Sequence, residues 1–188
     1  MRIRFVRPED CPALLAIYAQ YIRTDITFEY ELPSREEFSR RIASFSGFYP
    51  YLVLEDEGGL VGYAYAHRIW ERAAYQWDAE LSVYLSREVS GQGLGKRLCT
   101  VVLELLRLQG VRTVYSLVTS PNPASEKLHD ALEFRRIGAH EKTGYKNGHW
   151  IDVIWFEKHL NPFEGEPQPL RALHELPAEQ IEAVLNQF

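Results

Sequence analysis

An alternating segment that leads into a glycine-rich loop and a long amphipathic helix constrains this chain more than any other feature. Residues 80–85 read Glu-Leu-Ser-Val-Tyr-Leu, which is the period of two that a β-strand requires. This period places Glu80 opposite the apolar side chains and therefore away from the core side. A helix is predicted from about Gly93 to Gln109, because apolar residues recur there at helical spacing and Gly110 follows as a stop.

The loop between this strand and helix is suited to binding a phosphate group. Gly91, Gly93 and Gly95 lack a Cβ atom, so the main chain there can bend tightly and approach a ligand. The free N–H groups of the first helical turn and the positive end of the helix dipole form an anion site, and Lys96 can add a charge. The alternative is a flexible turn between a strand and a helix.

Two common nucleotide-binding motifs do not match this loop. A P-loop requires Ser or Thr after Gly-Lys, but Arg97 follows Lys96. A dinucleotide-binding fingerprint requires the spacing G-x-G-x-x-G, whereas this loop has G-x-G-x-G. Among common cofactors that bear phosphate, coenzyme A remains.

Several other segments resemble one enzyme family. They are residues 7–10, 21–22, 27–29, 75–77 (Tyr-Gln-Trp), 121–122 (Pro-Asn), 128–132 and 144–153 (Gly-Tyr-Lys-Asn-Gly-His-Trp-Ile-Asp-Val). Together with the glycine loop, they resemble the GNAT acyltransferase superfamily and, within it, the phosphinothricin acetyltransferase branch, over roughly residues 2–160. Two departures are Ser90, where the cofactor motif has Gln or Arg, and Glu133, where the family usually has Gly in a turn.

The resemblance implies an α/β (α+β) fold with a central mixed, mostly antiparallel sheet flanked by helices. It also implies a homodimer that uses acetyl-CoA to acetylate a small amino-acid-like amine, of the phosphinothricin or methionine sulfone and sulfoximine type. Two alternatives stay open. One is an acetyltransferase of another amine, such as a polyamine, an aminoglycoside or a protein N terminus, and the other is a non-catalytic acyl-CoA-binding module.

The resemblance also assigns residues to the cofactor. The predicted acetyl-CoA-binding residues are Val83, Leu85, Ser90, Gly91, Gln92, Gly93, Leu94, Gly95, Lys96 and Asn122. Asn122 resembles the residue that hydrogen-bonds the pantetheine arm, although a plain helix cap explains it equally well.

Acetyl transfer requires a base, because most alkyl amines are protonated near pH 7. Glu80 matches the general base of the branch and lies about 16 Å of strand before Leu85, a length that suits an extended pantetheine arm. The alternative is a solvated carboxylate on an open sheet face. His129 matches the branch's histidine, which serves either as a proton donor or as a group that orients the acetyl group, and a purely structural role has equal weight.

Four residues are predicted to bind the acceptor. Phe28 and Glu29 lie in a segment that resembles the branch's substrate-covering loop, whereas Arg72 and Tyr75 can supply a cation and a hydroxyl to an acidic acceptor. A surface role is the alternative for Arg72 and Tyr75. His67 departs from the family near the expected acceptor pocket, and no metal-site spacing is present.

Composition narrows the class of protein. The net charge of −5 over 188 residues argues against nucleic-acid binding, and no basic amphipathic segment suggests membrane docking. Only Cys11 and Cys99 are present, so a reducing cytoplasm is expected. We predict an acetyltransferase domain over residues 1–160, followed by a proline-containing linker and a short C-terminal helix over residues 161–188.

Local signals predict how several elements begin and end. Asp10 is predicted to cap the first helix and Ser34 the second, with Glu37 in the capping-box position. Residues 57–59 (Glu-Gly-Gly) predict a hairpin. In the tail, helical spacing places four apolar residues on one face: Ile181, Val184, Leu185 and Phe188.

Overall fold

A computed structural model describes residues 1–187 and shows one seven-stranded sheet with helices on both faces. The strands are β1 (Arg2–Phe5), β2 (Tyr51–Asp56), β3 (Gly59–Arg68), β4 (Asp78–Leu85), β5 (Thr113–Ser120), β6 (Arg135–Lys146) and β7 (His149–His159). The helices are α1 (Cys11–Ala19), α2 (Arg35–Phe45), α3 (Leu94–Gln109), α4 (Pro123–Ala131) and α5 (Ala178–Asn186). None of the helices in residues 1–187 is long and apolar enough to cross a membrane.

The sheet is antiparallel except at its centre. Its strand order is β1-β2-β3-β4-β5-β7-β6, and only β4 and β5 run parallel. Their pairing is short, since it joins Asp78–Glu80 to Thr113–Tyr115 and then stops. Beyond Glu80 the two strands diverge and the sheet splits. The predicted fold class, a mixed and mostly antiparallel sheet flanked by helices, is confirmed.

The two faces of the sheet bury two separate apolar cores. On one face, α3 packs its apolar stripe against the strands; its buried residues include Leu98, Val102 and Leu106. On the other face, α1 and α2 cover a second cluster rich in tyrosine, which includes Tyr51 and Tyr63. Glu80 belongs to this second face, because it is paired with His67 two residues beyond Tyr65 on β3. The face that carries Glu80 is therefore covered along β2 to β4 and is not an open sheet surface.

The glycines at the ends of α3 explain why this helix starts and stops where it does. Gly93 caps the N-terminus with φ +79°, and Gly110 ends the helix with φ +97°. Both are left-handed conformations that an L-residue adopts only at a cost, so the sequence fixes the helix bounds locally. The observed helix, Leu94–Gln109, agrees with the predicted one.

The predicted cap of α2 is confirmed, whereas that of α1 is wrong. Ser34 Oγ accepts a hydrogen bond from the Glu37 N–H at 3.1 Å. Asp10 does not cap α1, because its carboxylate is buried against the Arg4 guanidinium at 2.8 and 2.9 Å and accepts the Arg7 N–H at 2.7 Å. The hydrogen bonds from Arg4 hold the pKa of Asp10 below its usual range.

A helix is present in the tail where the apolar spacing predicts one. α5 packs against α3 and β1 of its own chain, where Val184 joins the main core and Ile181 and Leu185 pack against it. Phe188, which the sequence places on the same face, lies outside the described residues. The apolar face of α5 is therefore used within the chain.

Glu133 takes the left-handed conformation that its position after α4 requires. Its φ is +60°, and the Phe134 N–H then reaches back to the His129 carbonyl oxygen at 2.9 Å, which closes the end of the helix. The glutamate side chain is exposed, and among the described residues its ion-pair partner is Lys158, at 3.5 Å. The expectation that this residue fills a glycine-type turn is confirmed.

This geometry predicts the effect of two substitutions on stability. Glu133→Gly removes the backbone strain, whereas Glu133→Ala removes the same carboxylate but keeps the Cβ atom. Because a left-handed L-residue costs about 1–2 kcal/mol, partly offset by the greater freedom of glycine in the unfolded chain, we expect Glu133→Gly to be more stable by about 1 kcal/mol. Urea unfolding of both variants measures the difference, and equal stabilities would contradict this account.

Candidate active site

The active-site candidate lies where β4 and β5 separate. On one side β4 stays paired with β3 along its length, up to Gly62 opposite Leu85. On the other side its main chain loses its partner after Glu80. The Ser116 hydroxyl donates to the Leu81 carbonyl oxygen at 3.2 Å and bridges the start of the gap. Farther along, the Tyr21 hydroxyl donates to the Leu85 carbonyl oxygen at 2.5 Å. The main-chain groups of Val83 and the N–H of Leu85 are what this edge of β4 can still offer to an extended ligand.

The predicted phosphate loop follows β4 directly and is exposed. A short turn over Arg87–Val89 leads to Gly91 and Gly93, whose φ angles are +80° and +79°. Gly93 contributes no side chain to the first turn of α3, so the N–H groups there stay free for an anion. The geometry therefore suits a pyrophosphate.

The predicted cofactor residues differ in what they can offer a ligand. Ser90 and Gln92 are exposed in the loop and Lys96 is exposed on the first turn of α3, whereas Leu94 is buried in the core. Gly95 is buried where a Cβ would meet Leu85 and Leu128 at 3.4–3.5 Å. Val83 and Leu85 turn their side chains to the core beneath α3, so they and Leu94 can contribute only main-chain groups.

Asn122 caps the N-terminus of α4, as the alternative interpretation of this residue predicts. Its side-chain oxygen accepts the Ser125 N–H at 3.2 Å, and its own N–H donates to a Glu126 carboxylate oxygen at 3.3 Å. The side-chain oxygen of Asn122 is thus engaged with the first turn of α4. Its amide NH₂ group is what remains for a ligand.

His129 is buried, with 2% of its surface exposed. Its ring stacks on Phe156 at 4.9 Å and meets Phe134 edge-on at 5.1 Å. Nδ1 lies 2.7 Å from the Ser125 carbonyl oxygen, which can only accept, so the neutral ring carries its proton on Nδ1. Burial lowers the pKa of His129, and the charged form that would donate from Nε2 is disfavoured.

Glu80 is the last residue of β4 that is paired with β5, and it lies opposite His67 on β3. Its carboxylate oxygen Oε2 is 3.9 Å from His67 Nε2, and both side chains are about a fifth exposed. Burial raises the pKa of Glu80 above its ordinary value, while a charged His67 opposes this shift. The structure therefore places a partly desolvated carboxylate where the gap between the strands begins.

The four predicted acceptor residues fall into two pairs. Glu29 forms an ion pair with Arg41 on the α2 side of Glu80, and Phe28 packs on Gly144 of β6. Tyr75 packs against Trp70 at 4.9 Å on the other side, just after the exposed Arg72. Trp70 in turn contacts Tyr115, which lies beside Glu80 in the sheet. Among residues 1–187 no hydrogen bond, ion pair or ring contact joins Phe28 or Glu29 to Arg72 or Tyr75.

Residues 24–30 contact the β6–β7 turn at residues 144–149, and we call these two segments the clasp. Lys146 is 3% exposed, and its ammonium donates to the carbonyl oxygens of Thr24 and Thr27 at 2.7 and 2.5 Å. Asn147 donates to Asp25 at 2.7 Å, and His149 lies 3.3 Å from the same carboxylate. These contacts tie the segment that carries Phe28 and Glu29 to the far half of the sheet.

Sequence reasoning missed part of this arrangement. Lys146 belongs to a segment that resembles the family, but nothing in that segment indicates that its ammonium binds the backbone of residues 24–27. The sequence marks His67 as a departure near the expected acceptor pocket but does not indicate that it is a neighbour of Glu80. The alternation in residues 63–67 indicates a strand. The pairing of His67 with Glu80, however, depends on the register between β3 and β4, and the nine residues that connect these strands do not reveal it. Residues 1–187 contain no cluster of three or more His, Cys, Asp or Glu side chains that could hold a metal ion.

Comparison with known proteins agrees with this geometry. Residues 3–155 match the family described as Acetyltransferase (GNAT) domain. The chain is 38% identical over 165 residues to a phosphinothricin N-acetyltransferase from Alcaligenes faecalis, covering 85% of this chain and 82% of that protein. It is 31% identical to an L-methionine sulfoximine/L-methionine sulfone acetyltransferase from Pseudomonas paraeruginosa, covering 88% and 98%.

A solved structure shares both the fold and part of the sequence. It is a phosphinothricin acetyltransferase from Sinorhizobium meliloti in complex with acetyl-CoA, with a TM-score of 0.85 and 32% identity over 88% of this chain and 92% of that one. The chain belongs to the GNAT acetyltransferase family. The predicted family and the predicted enzyme class, an acetyl-CoA-dependent N-acetyltransferase, are confirmed.

The clasp predicts that Lys146→Met destabilises the protein. Methionine has a similar length but cannot donate, so the two carbonyl oxygens lose their partner; we expect the free energy of unfolding to fall by about 1–3 kcal/mol. Urea unfolding measures the change. Lys127→Met, at an exposed position on α4, is the matched control and should change the free energy by less than about 0.5 kcal/mol. Equal losses in the two variants would show that the buried contacts do not stabilise the clasp.

Proposed function

We propose that this enzyme transfers the acetyl group of acetyl-CoA directly to the amine of a small amino-acid-like substrate, with Glu80 as the general base. The observation that carries the proposal is the position of Glu80. It is a partly buried carboxylate at the point where β4 loses its partner and where a free strand edge leads to the phosphate loop. The names of the relatives, which include acetyltransferases of phosphinothricin and of methionine sulfoximine and sulfone, support an acceptor of this size.

Acetyl-CoA is the co-substrate, and the loop residues fit its phosphate end. The main-chain N–H groups of Gly91, Gly93 and the first turn of α3 would hold the pyrophosphate, with Lys96 nearby as a cation. Ser90 has no long cationic or amide side chain, so this enzyme depends more on those main-chain groups than relatives with Gln or Arg there. The main-chain groups of Val83 and the N–H of Leu85, on the edge of β4 that lacks a strand partner, would pair with the amides of the pantetheine arm.

Glu80 must be ionised to act. It accepts a proton from the acceptor ammonium, so that the neutral amine can attack the thioester carbonyl carbon; the C–N bond forms as the C–S bond breaks. A raised pKa makes Glu80 a stronger base than an exposed carboxylate, and it brings the pKa nearer to the working pH. The departing thiolate then takes a proton from solvent or from the attacking nitrogen.

We assign His129 a positioning role. In the neutral form of His129, the Nδ1 proton is donated in a hydrogen bond to the Ser125 carbonyl oxygen, and Nε2 carries no proton. The ring therefore cannot protonate the thiolate unless it first becomes charged, and burial disfavours that charged form. The ring instead fixes α4 against Phe134 and Phe156. This fixes the start of α4, where Asn122 offers its amide NH₂ to the cofactor.

We also propose that the protein is a cytoplasmic homodimer and that its acetyltransferase domain spans residues 1–160. Both cysteines are free and buried, which fits a reducing compartment, and burial raises the pKa of Cys99 to about 12. The apolar face of α5 already packs on its own chain, so a dimer contact would not use that face. Size-exclusion chromatography with light scattering tests the homodimer.

Replacing the base tests the mechanism. We expect Glu80→Gln to bind acetyl-CoA normally but to lower kcat by about 10²–10⁴-fold. In the wild-type enzyme kcat/KM should fall as the pH falls through the raised pKa of Glu80, and this acidic limb should vanish in the variant. Thiol release with a panel of amines measures kcat and the pH dependence of kcat/KM. Glu57→Gln, in the exposed β2–β3 turn, is the control, and an unchanged pH profile in Glu80→Gln would refute the assignment.

The phosphate loop predicts a selective loss of cofactor affinity. Gly93→Ala forces an L-residue to adopt φ +79°, which costs about 1–2 kcal/mol. We expect the loop to relax away from its binding geometry, and this cost then corresponds to a roughly 5- to 30-fold weaker binding of acetyl-CoA. Gly138→Ala on β6 is the matched control, because its φ is ordinary and a Cβ there meets nothing within 4 Å. Calorimetric titration with acetyl-CoA gives both affinities, and equal values would argue against the loop as the cofactor site.

A further inference from the structure

A cavity lined by aromatic rings lies beside Glu80 and bears on the choice of acceptor. It has a volume of about 340 Å³ and lies between the sheet and the helices α1 and α2. Its lining consists of Tyr51, Tyr63, Tyr65 and Tyr84 from the strands, Tyr18, Phe38, Ile42 and Phe45 from the helices, and the Glu29–Arg41 ion pair. This volume is at the small end of the range for ligand pockets, about 300–1,000 Å³.

The cavity is within reach of a substrate whose amine lies at Glu80. Tyr65 and Phe45, which line it, stack on the ring of His67 at 5.9 and 4.7 Å, and His67 is the neighbour of Glu80. Tyr65 is also the cross-strand partner of Ser82, which lies two residues, or about 7 Å, along β4 from Glu80. An amino acid spans this distance between its amine and the end of its side chain.

The electrostatics of the cavity favour a neutral side chain. Arg41 is its only cation, and it is already paired with Glu29 and Glu37. Burial raises the pKa of Tyr65 to about 12 and those of Tyr51, Tyr63 and Tyr84 well above their usual value, so these phenols stay neutral near pH 7. The faces of aromatic rings carry negative partial charge, which repels an anion and favours stacking with another ring.

We propose that the cavity receives the side chain of the acceptor and selects an L-amino acid with a bulky, neutral, aromatic side chain over one with a second anionic group. This inference rests on the proposed function, because it takes the acceptor amine to lie at Glu80. The α-carboxylate of the acceptor would then face Arg72, which forms no ion pair among residues 1–187 and lies on the other side of Glu80. The small volume disfavours an aminoglycoside.

A panel of acceptors tests the inference. Thiol release from acetyl-CoA is followed with L-phenylalanine, L-alanine, L-lysine and phosphinothricin. We expect kcat/KM for L-phenylalanine to exceed that for each of the others by at least tenfold. A higher value for phosphinothricin or L-lysine would overturn the inference but leave the proposed function standing. No release with any amine, despite acetyl-CoA binding, would refute the proposed function itself.

Variants of Ile42 tie the preference to the cavity. Ile42→Phe fills it and should lower the ratio of kcat/KM for L-phenylalanine to that for L-alanine by about tenfold, since a pocket discriminates one methylene by about 10- to 200-fold. Ile42→Ala enlarges the cavity and should raise the ratio of kcat/KM for L-tryptophan to that for L-alanine. This second variant keeps the test available if Ile42→Phe does not fold. Ile137→Phe, at an exposed position on β6, is the control and should leave the ratio unchanged. Unchanged ratios in both Ile42 variants would overturn the inference.

Discussion

The short parallel pairing of β4 with β5 is the constraint on which the rest of the site depends. Only three residue pairs join these strands, whereas β3–β4 and β5–β7 pair over seven and eight residues. Each half of the sheet is therefore held together by its own antiparallel ladder, and the split between them can stay open without loosening either half. The free edge of β4 leaves polar main-chain groups without a partner in the sheet, which is stable only where water or a ligand satisfies them.

The chemistry of Glu80 follows from its place at this split. One residue earlier in β4, the side chain would point into the core beneath α3, as the neighbouring Ala79 and Leu81 do. Farther along, at Ser82 or Tyr84, it would lie against the aromatic cluster and away from the point where β4 and β5 part. At position 80 the carboxylate is desolvated enough for its pKa to rise, yet about a fifth exposed and therefore able to exchange a proton. His67, in the adjacent strand, keeps that shift from growing further.

Local signals in the sequence were sufficient for the strand–loop–helix unit but not for the contacts between distant segments. Gly93, Gly110 and Ser34 fix helix ends through their own backbone or side chain, and each was predicted correctly. Asp10 has the propensity of a helix cap, yet Arg4 lies within reach only once β1 and the following turn are folded, and a charged hydrogen bond outweighs a cap. Likewise the sequence does not reveal that β6 runs on to Lys146, because bulges and exposed polar residues hide its alternation.

The clasp shows why the acceptor side was the least predictable part of the molecule. Lys146 lies 119 residues from Thr27 in sequence, and nothing local in either segment indicates that they meet. Burying an ammonium carries a desolvation cost that an apolar side chain would avoid, so packing alone does not explain a lysine there. Two carbonyl oxygens at fixed positions do explain it, since an ammonium that donates to both sets the backbone of residues 24–27 relative to the far half of the sheet. Glu29 follows two residues after Thr27 and lines the cavity between the sheet and the helices α1 and α2, so one buried lysine helps to position a side chain of that cavity.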